Sequence, residues 1–243
     1  MKNISCSSAT KIAAAILIGV VLSNSMFAQT QRTMSEKKQT MLCLGDSYTI
    51  GEAVSETERF PNYTTAFLDK EKHVFEKPII IARTGWTTDE LRDAIHAWEK
   101  ETPFKTYDVV TLLIGVNNQY RERDLKNYRE EFCALLQTAL KYAGGKTKHV
   151  YVLSIPDWGV TPFVAQDGKQ RTGEKISEQI IAFNKVNREE AIAEKVNYIN
   201  ITPISQKAKT DVRLLAEDGL HPSGKMYEEW ARFLAAAIKT AHE

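Results

Sequence analysis

A serine, an aspartate and a histidine stand where they could form a nucleophilic site. Ser47 follows directly after an apolar segment, residues 41–44, that reads as a buried strand. A serine hydroxyl is a weak nucleophile: it needs an imidazole to accept its proton and an acid to hold that imidazole in the right tautomer. Asp218 and His221 could supply both groups from one short turn. Alternatively, Asp46 and Ser47 only cap a helix, as such residues often do.

Other groups could stabilise the negative charge that develops when a serine attacks a carbonyl carbon. The candidate donors to this oxyanion are the N–H of Ser47, the N–H of Gly85 and the side-chain amide of Asn117. Gly85 suits the role because a glycine lets the backbone approach closely. Aromatic residues on or near the same loops could line a substrate pocket, although packing explains them at least as well: Trp86, Tyr120 and Trp158.

The hydrophobic pattern predicts the scaffold that must bring these loops together. Apolar strands at about 41–45, 78–83, 109–114, 150–155 and 198–201 alternate with amphipathic helices along the chain. Strands that are apolar on both faces predict a parallel sheet covered by helices on each side. We therefore expect an α/β fold, a three-layer α/β/α sandwich with a five-stranded parallel sheet in flavodoxin-like order. The loops of Ser47, Gly85 and Asn117 should emerge at one edge of that sheet.

Four short blocks in order along the chain resemble the signature blocks of the SGNH hydrolases, also called the GDSL esterase/lipase family. They are GDSY at 45–48, Gly85, GVNN at 115–118 and DGLHPS at 218–223. Each block alone is a weak motif, but their order and spacing also match, and the resemblance spans about residues 41–240. The GxSxG motif of α/β-hydrolases is absent around the serine, which favours this family over that one.

The resemblance implies Ser47 as the nucleophile, His221 as the base and Asp218 as its partner. It also implies that Gly85 and Asn117 complete the oxyanion hole, and it implies no metal or cofactor.

Two positions depart from the family pattern. Tyr48 stands where the family often has leucine, and that position tolerates variation. Asn118 stands where the family often has an aspartate, so the support that this acid would provide is in question.

An exported serine esterase is therefore the expected function, cleaving carboxylic esters through an acyl-enzyme on Ser47. The expected partner is a small-molecule ester, an acylated sugar or lipid. No long apolar lid segment is visible, which favours short-chain or O-acetyl substrates. The alternatives are a lysophospholipase or thioesterase that acts on lipid acyl groups, and a non-catalytic module that keeps the pocket for glycan recognition.

The amino-terminal residues 1–28 read as a secretory signal peptide. Their apolar run, residues 12–22, is 11 residues long, whereas a membrane span needs about 20. Cleavage after Ser25 satisfies the small-residue rule, whereas cleavage after Ala28 would place the poorly fitting Met26 at the −3 position. An uncleaved anchor is the alternative. Residues 29–39 are predicted to be a polar tether and residues 40–243 a single domain. We expect a periplasmic or secreted protein without stable membrane insertion after cleavage.

Composition excludes some classes of protein. The chain of 243 residues is 43% hydrophobic and 26% charged, as in ordinary globular proteins, and its formal charge is +1. Without a clustered basic excess, nucleic-acid binding is not expected. The cysteines, Cys6, Cys43 and Cys133, lack the spacing of a zinc site. Export would permit a Cys43–Cys133 disulfide, but buried free thiols are the favoured interpretation.

Overall fold

A five-stranded parallel sheet runs through the part of the chain that the computed structural model describes, residues 38–70 and 74–242. The strands are β1 (Met41–Gly45), β2 (Ile79–Ala82), β3 (Val109–Leu113), β4 (Val150–Leu153) and β5 (Asn197–Ile199). Their order is β2-β1-β3-β4-β5, and every neighbouring pair is parallel. This confirms the flavodoxin-like order predicted from the sequence.

Helices connect the strands and cover both faces of the sheet. They are α1 (Ser47–Ile50), α2 (Phe60–Lys70), α3 (Thr88–Glu101), α4 (Val116–Tyr120), α5 (Leu125–Tyr142), α6 (Gly173–Ala193), α7 (Thr202–Gln206) and α8 (Gly224–His242). Helices α2 and α8 pack against each other in one layer, while α5 lies between α3 and α6 in the other. The three-layer α/β/α sandwich is therefore confirmed.

The burial of the strands follows their position in the sheet. Every residue of β1, β3 and β4 is buried, whereas the edge strands β2 and β5 are mostly half-buried. Central strands are covered by helices on both faces, which is why their sequences are nearly continuous apolar runs. The parallel register of β1 and β3 places their carboxyl ends side by side, with Gly45 paired to Leu113.

A short-range hydrogen bond marks the start of α3. The N–H of Thr87 donates to Oε2 of Glu90 at 2.9 Å, which is one half of the capping box expected from this spacing. Helix α2 begins at Phe60, and its second residue is Pro61, which a first helical turn tolerates. The sequence analysis did not predict α1, α4 and α7, which are four or five residues long and too short for helical periodicity.

The predicted signal peptide, residues 1–28, lies outside the described residues, as does most of the predicted tether. The end of that tether belongs to the fold: the N–H of Gln39 donates to the carbonyl of Val74, and the N–H of Glu76 donates to that of Gln39, both at 2.8 Å. Within residues 38–70 and 74–242, no helix combines the length and the apolar character that crossing a membrane requires.

Both cysteines in the described range are free thiols. Cys43 is fully buried in β1, and burial raises the pKa of its thiol to about 12. Cys133 is half-buried on α5, and burial raises its pKa to about 11. Both thiols are therefore neutral. Cys43 acts as a small apolar group, as the sequence suggested, whereas Cys133 is only half-buried and its Sγ donates to Oε2 of Glu190 at 3.1 Å.

Candidate active site

Ser47 is the first residue of α1, directly beyond the end of β1. Oδ1 of Asp46 accepts the N–H of Tyr48 at 3.1 Å and caps this short helix. Ser47 therefore lies in the first turn, where a backbone N–H has no acceptor within the helix. Gly45 is required just before it, because a Cβ at that position would lie 2.3 Å from the carbonyl oxygen of Leu113. Ser47 is only 5% exposed, so the helix that Asp46 caps holds it in a largely enclosed position.

Asp218 and His221 form a hydrogen-bonded pair within one turn. Nδ1 of His221 lies 2.6 Å from Oδ2 of Asp218, while Oδ1 accepts the backbone N–H groups of Leu220 and His221, both at 2.9 Å. Burial opposes ionisation of Asp218, but these hydrogen bonds outweigh it and lower the pKa of the carboxyl. A proton on Nδ1 leaves Nε2 of the imidazole able to accept another.

One cavity collects residues from five separate segments of the chain. Ser47 and His221 both line it, although they are far apart in the sequence. The cavity has a volume of about 190 Å³. Its remaining lining residues are Tyr48, Thr84, Gly85, Val116, Asn117, Tyr120, Trp158, Phe163 and Leu220. Oγ of Ser47 makes no hydrogen bond within the described part of the chain, so it can turn toward the imidazole or toward a bound acyl carbon.

Gly85 reaches this cavity on a tight turn. The N–H of Trp86 donates to the carbonyl of Arg83 at 3.2 Å, and the φ of Gly85 is +87°. A positive φ at the third position is typical of a type II turn and explains why glycine stands there. Nδ2 of Asn117 donates to the carbonyl of Trp86 at 3.0 Å, which leaves a second N–H on the same amide. Ser47, Gly85 and Asn117 thus bring three possible donors to one cavity.

The predicted pocket aromatics divide into two groups. Tyr120 and Trp158 line the cavity, with ring centroids 5.7 Å apart, and Phe163 extends this wall at 6.2 Å from Trp158. The side chain of Trp86 is half-buried and does not line the cavity; its contribution to the site is the backbone carbonyl that accepts from Asn117. We define the aromatic wall as Tyr120, Trp158 and Phe163.

A buried ion pair that the sequence analysis missed supports the aromatic wall from behind. Arg171 bonds Asp167 through two nitrogens, at 2.9 and 3.0 Å, and their side chains are 7% and 0% exposed. The hydrogen bond from Arg171 holds the pKa of Asp167 at about 2. The guanidinium lies 5.5 Å from the ring of Tyr120 and 5.4 Å from that of Trp158. In the sequence, an aspartate and an arginine in a polar loop gave no sign of burial.

Asn118 makes a supporting contact next to the site. Its Oδ1 accepts the N–H of Thr88 at 3.1 Å, and its Nδ2 donates to Oγ1 of Thr88 at 2.6 Å. An amide provides both an acceptor and a donor, whereas a carboxylate would provide only acceptors. Asn118 therefore ties α4 to the start of α3.

Asp46 is a buried carboxyl beside the serine. Its side chain is 1% exposed, and its Oδ2 has no hydrogen-bond partner. Burial raises the pKa of Asp46 to about 7, in spite of the hydrogen bond from Tyr48. This carboxyl does not line the cavity, so its role is to hold the loop.

No cluster of three or more His, Cys, Asp or Glu side chains that could hold a metal ion occurs within residues 38–70 and 74–242. The site as described consists of a hydroxyl, an imidazole–carboxylate pair and backbone or amide donors. These are the groups that acyl transfer to a serine requires.

Comparisons with solved structures show the same fold. The lipase/acylhydrolase from Enterococcus faecalis is 21% identical, with a TM-score of 0.62 over 83% of this chain and 96% of that chain. Axe2, an acetylxylan esterase from Geobacillus stearothermophilus, is 18% identical, with a TM-score of 0.59 over 82% of this chain and 94% of that chain. The psychrotrophic esterase EstA from Pseudoalteromonas sp. is 16% identical, with a TM-score of 0.59 over 84% of this chain and 98% of that chain.

Sequence comparison gives the family. No curated protein matched the chain. Residues 43–229, which include every residue proposed above for catalysis, match the GDSL-like Lipase/Acylhydrolase family. The chain therefore belongs to the GDSL-like lipase/acylhydrolase family.

Proposed function

We propose that this protein is an exported serine esterase that removes short acyl groups, such as acetyl, from small-molecule esters. The observation that carries the proposal is the single cavity lined by Ser47, Gly85, Asn117 and His221. Family membership supports a hydrolase of esters. Export rests on the sequence pattern of residues 1–28 alone.

The geometry suggests the following chemistry. Oγ of Ser47 attacks the acyl carbon, and its proton passes to Nε2 of His221 while Asp218 keeps Nδ1 protonated. The negative charge on the carbonyl oxygen is stabilised by the N–H groups of Ser47 and Gly85 and by Nδ2 of Asn117. The alcohol leaves with the proton from His221. Water then loses a proton to His221 and attacks the acyl-enzyme, which releases the acid and restores Ser47.

The size of the cavity supports a short acyl group. Its volume of about 190 Å³ is below the ~300–1,000 Å³ of pockets that enclose drug-sized ligands. The aromatic wall bounds it, and Trp158 is only 2% exposed and therefore firmly packed. Axe2, which is named an acetylxylan esterase, has a similar fold, and an O-acetylated carbohydrate is accordingly a suitable first substrate to test.

Replacement of the serine tests the proposal. We expect Ser47→Ala to abolish hydrolysis of a chromogenic acetyl ester and of acetylated sugars, with an unchanged circular dichroism spectrum. Ser55→Ala is the matched control, because Ser55 is an exposed serine whose contacts are confined to its own loop. A fluorophosphonate probe should label the wild type and Ser55→Ala but not Ser47→Ala. Wild-type activity in Ser47→Ala, or binding of glycans without any labelling, would contradict an esterase.

A further inference from the structure

Arg121, directly after α4, fastens the turn that carries Gly85. Its Nη2 donates to the carbonyl oxygen of Gly85 at 2.6 Å, and its Nη1 donates to Oε1 of Glu90 at 3.0 Å. The other oxygen of Glu90 accepts the N–H of Thr87 at 2.9 Å. The guanidinium and the carboxylate therefore close a ring of hydrogen bonds around residues 85–87.

This fastening matters because glycine is the least restrained residue. Gly85 needs its φ of +87° to present its backbone at the cavity, but without a side chain it can leave that conformation easily. Asn117 holds the next carbonyl of the turn, that of Trp86. Asn117 and Arg121 are four residues apart, so they reach the turn from the same side of one helical segment.

We propose that Arg121, held by Glu90, is a positioning residue that keeps the N–H of Gly85 directed at the oxyanion; this inference rests on the proposed esterase function. Charge on the carbonyl oxygen develops only in the transition state, and an ester in its ground state gains little from that donor. A loosened turn should therefore lower kcat and leave KM nearly unchanged.

The central experiment compares two arginines. We expect Arg121→Gln to lower kcat for an acetyl ester by about 10- to 100-fold, less than a removed donor would, with KM within about twofold. Arg123→Gln is the matched control: its side chain is also 40% exposed and also pairs with a carboxylate of α3, Asp89, at 3.7 Å. None of the described hydrogen bonds or ion pairs of the Arg123 side chain reaches the turn, so its kinetics should equal those of the wild type.

A second set of variants separates positioning from general loss of structure. Glu90→Gln keeps a side chain suitable for the capping box but removes the charge that holds Arg121. We expect a smaller loss of kcat in Glu90→Gln than in Arg121→Gln, and no further loss when the two are combined. Arg121→Lys should have a higher kcat than Arg121→Gln but a lower one than the wild type. An ammonium can reach the carbonyl oxygen of Gly85 or the carboxylate of Glu90, but not both.

The outcomes are distinct. If the wild type is an active esterase and Arg121→Gln has the same kcat, this inference is overturned while the proposed function stands. A raised KM at constant kcat in Arg121→Gln would also overturn it, because it would mean that Arg121 binds substrate directly. An equal loss of kcat in Arg123→Gln would overturn it as well. A wild type without esterase activity, or full activity in Ser47→Ala, would overturn the proposed function and this inference together.

Discussion

Trp158 and Gln119 are joined by a hydrogen bond of 2.7 Å from Nε1 of the indole to the side-chain carbonyl oxygen of the amide. Trp158 begins a short 3₁₀ helix in the loop after β4, and Gln119 belongs to α4, the helix that carries Asn117. The aromatic wall is therefore fastened to the element that supplies a proposed oxyanion donor. A wall held in this way should set a firm limit on the acyl group that the cavity accepts.

Removal of a ring from this wall should relax that limit. Phe163 is half-buried and lines the cavity, so Phe163→Ala enlarges the site without emptying the core. We expect the ratio of kcat/KM for a hexanoyl ester to that for an acetyl ester to rise about tenfold. Phe104→Ala, which removes a ring that is 56% exposed and outside the cavity, should leave the ratio unchanged. An unchanged ratio in Phe163→Ala would mean that the acyl group lies elsewhere.

The ion pair behind the wall should be essential for stability. Asp167→Asn leaves the guanidinium of Arg171, only 7% exposed, without its carboxylate, and we expect the free energy of unfolding to fall by about 3–5 kcal/mol. Asp211→Asn weakens surface pairs with Arg213 and Lys225, whose side chains are 78% and 50% exposed, and should lower the free energy of unfolding far less. Urea unfolding measures both values. Equal values would show that burial adds nothing at Asp167.

The backbone of Gly85 should matter for activity more than for stability. A Cβ at Gly85 would meet nothing closer than Arg121, at 3.9 Å, so Gly85→Ala creates backbone strain of about 1–2 kcal/mol and no clash. Gly145 is a matched control with a φ of +75° and open space around its Cβ position. Gly145→Ala should lose similar stability but keep its activity, whereas kcat of Gly85→Ala should fall by about 10²-fold. Equal activity in both variants would exclude Gly85 from the oxyanion hole.

The buried carboxyl of Asp46 should make stability decrease as pH rises. Burial raises its pKa from 3.8 to about 7, so between these values the folded state keeps a proton that the unfolded state has lost. Asn at this position stays neutral and keeps an acceptor for the N–H of Tyr48. We expect the free energy of unfolding of Asp46→Asn to rise relative to that of the wild type as pH increases from 3.8 to about 7. The rise should be at most about 4 kcal/mol at the upper end of this window.

Urea unfolding at about pH 5 and about pH 8 measures this difference. Asp93→Asn is the control for removal of a carboxylate at the surface, because the Asp93 side chain is 68% exposed. A constant difference between Asp46→Asn and the wild type would show that Asp46 does not bind a proton in this range.

The amino-acid sequence by itself determined the sheet and several of its boundaries. A strand covered on both faces must be apolar throughout, which made β1 and β3 visible as runs of hydrophobic residues. The capping box of Thr87 and Glu90 was equally predictable, because its partners are three residues apart. The pairing of Asp218 with His221 lies within one turn for the same reason. Short-range contacts can be read from spacing, since the local backbone fixes where neighbouring side chains point.

Only the tertiary structure decided which distant side chains share the cavity and which support it. Trp86 and Trp158 are both aromatic loop residues in the sequence, but Trp158 is buried and lines the cavity, whereas Trp86 is half-buried against the core and does not line it. The contact of Arg121 with Gly85 spans 36 positions, and the contact of Asn118 with Thr88 spans 30. Such contacts depend on how α4 packs beside the loop after β2. Packing is a property of the whole fold, and no local pattern encodes it.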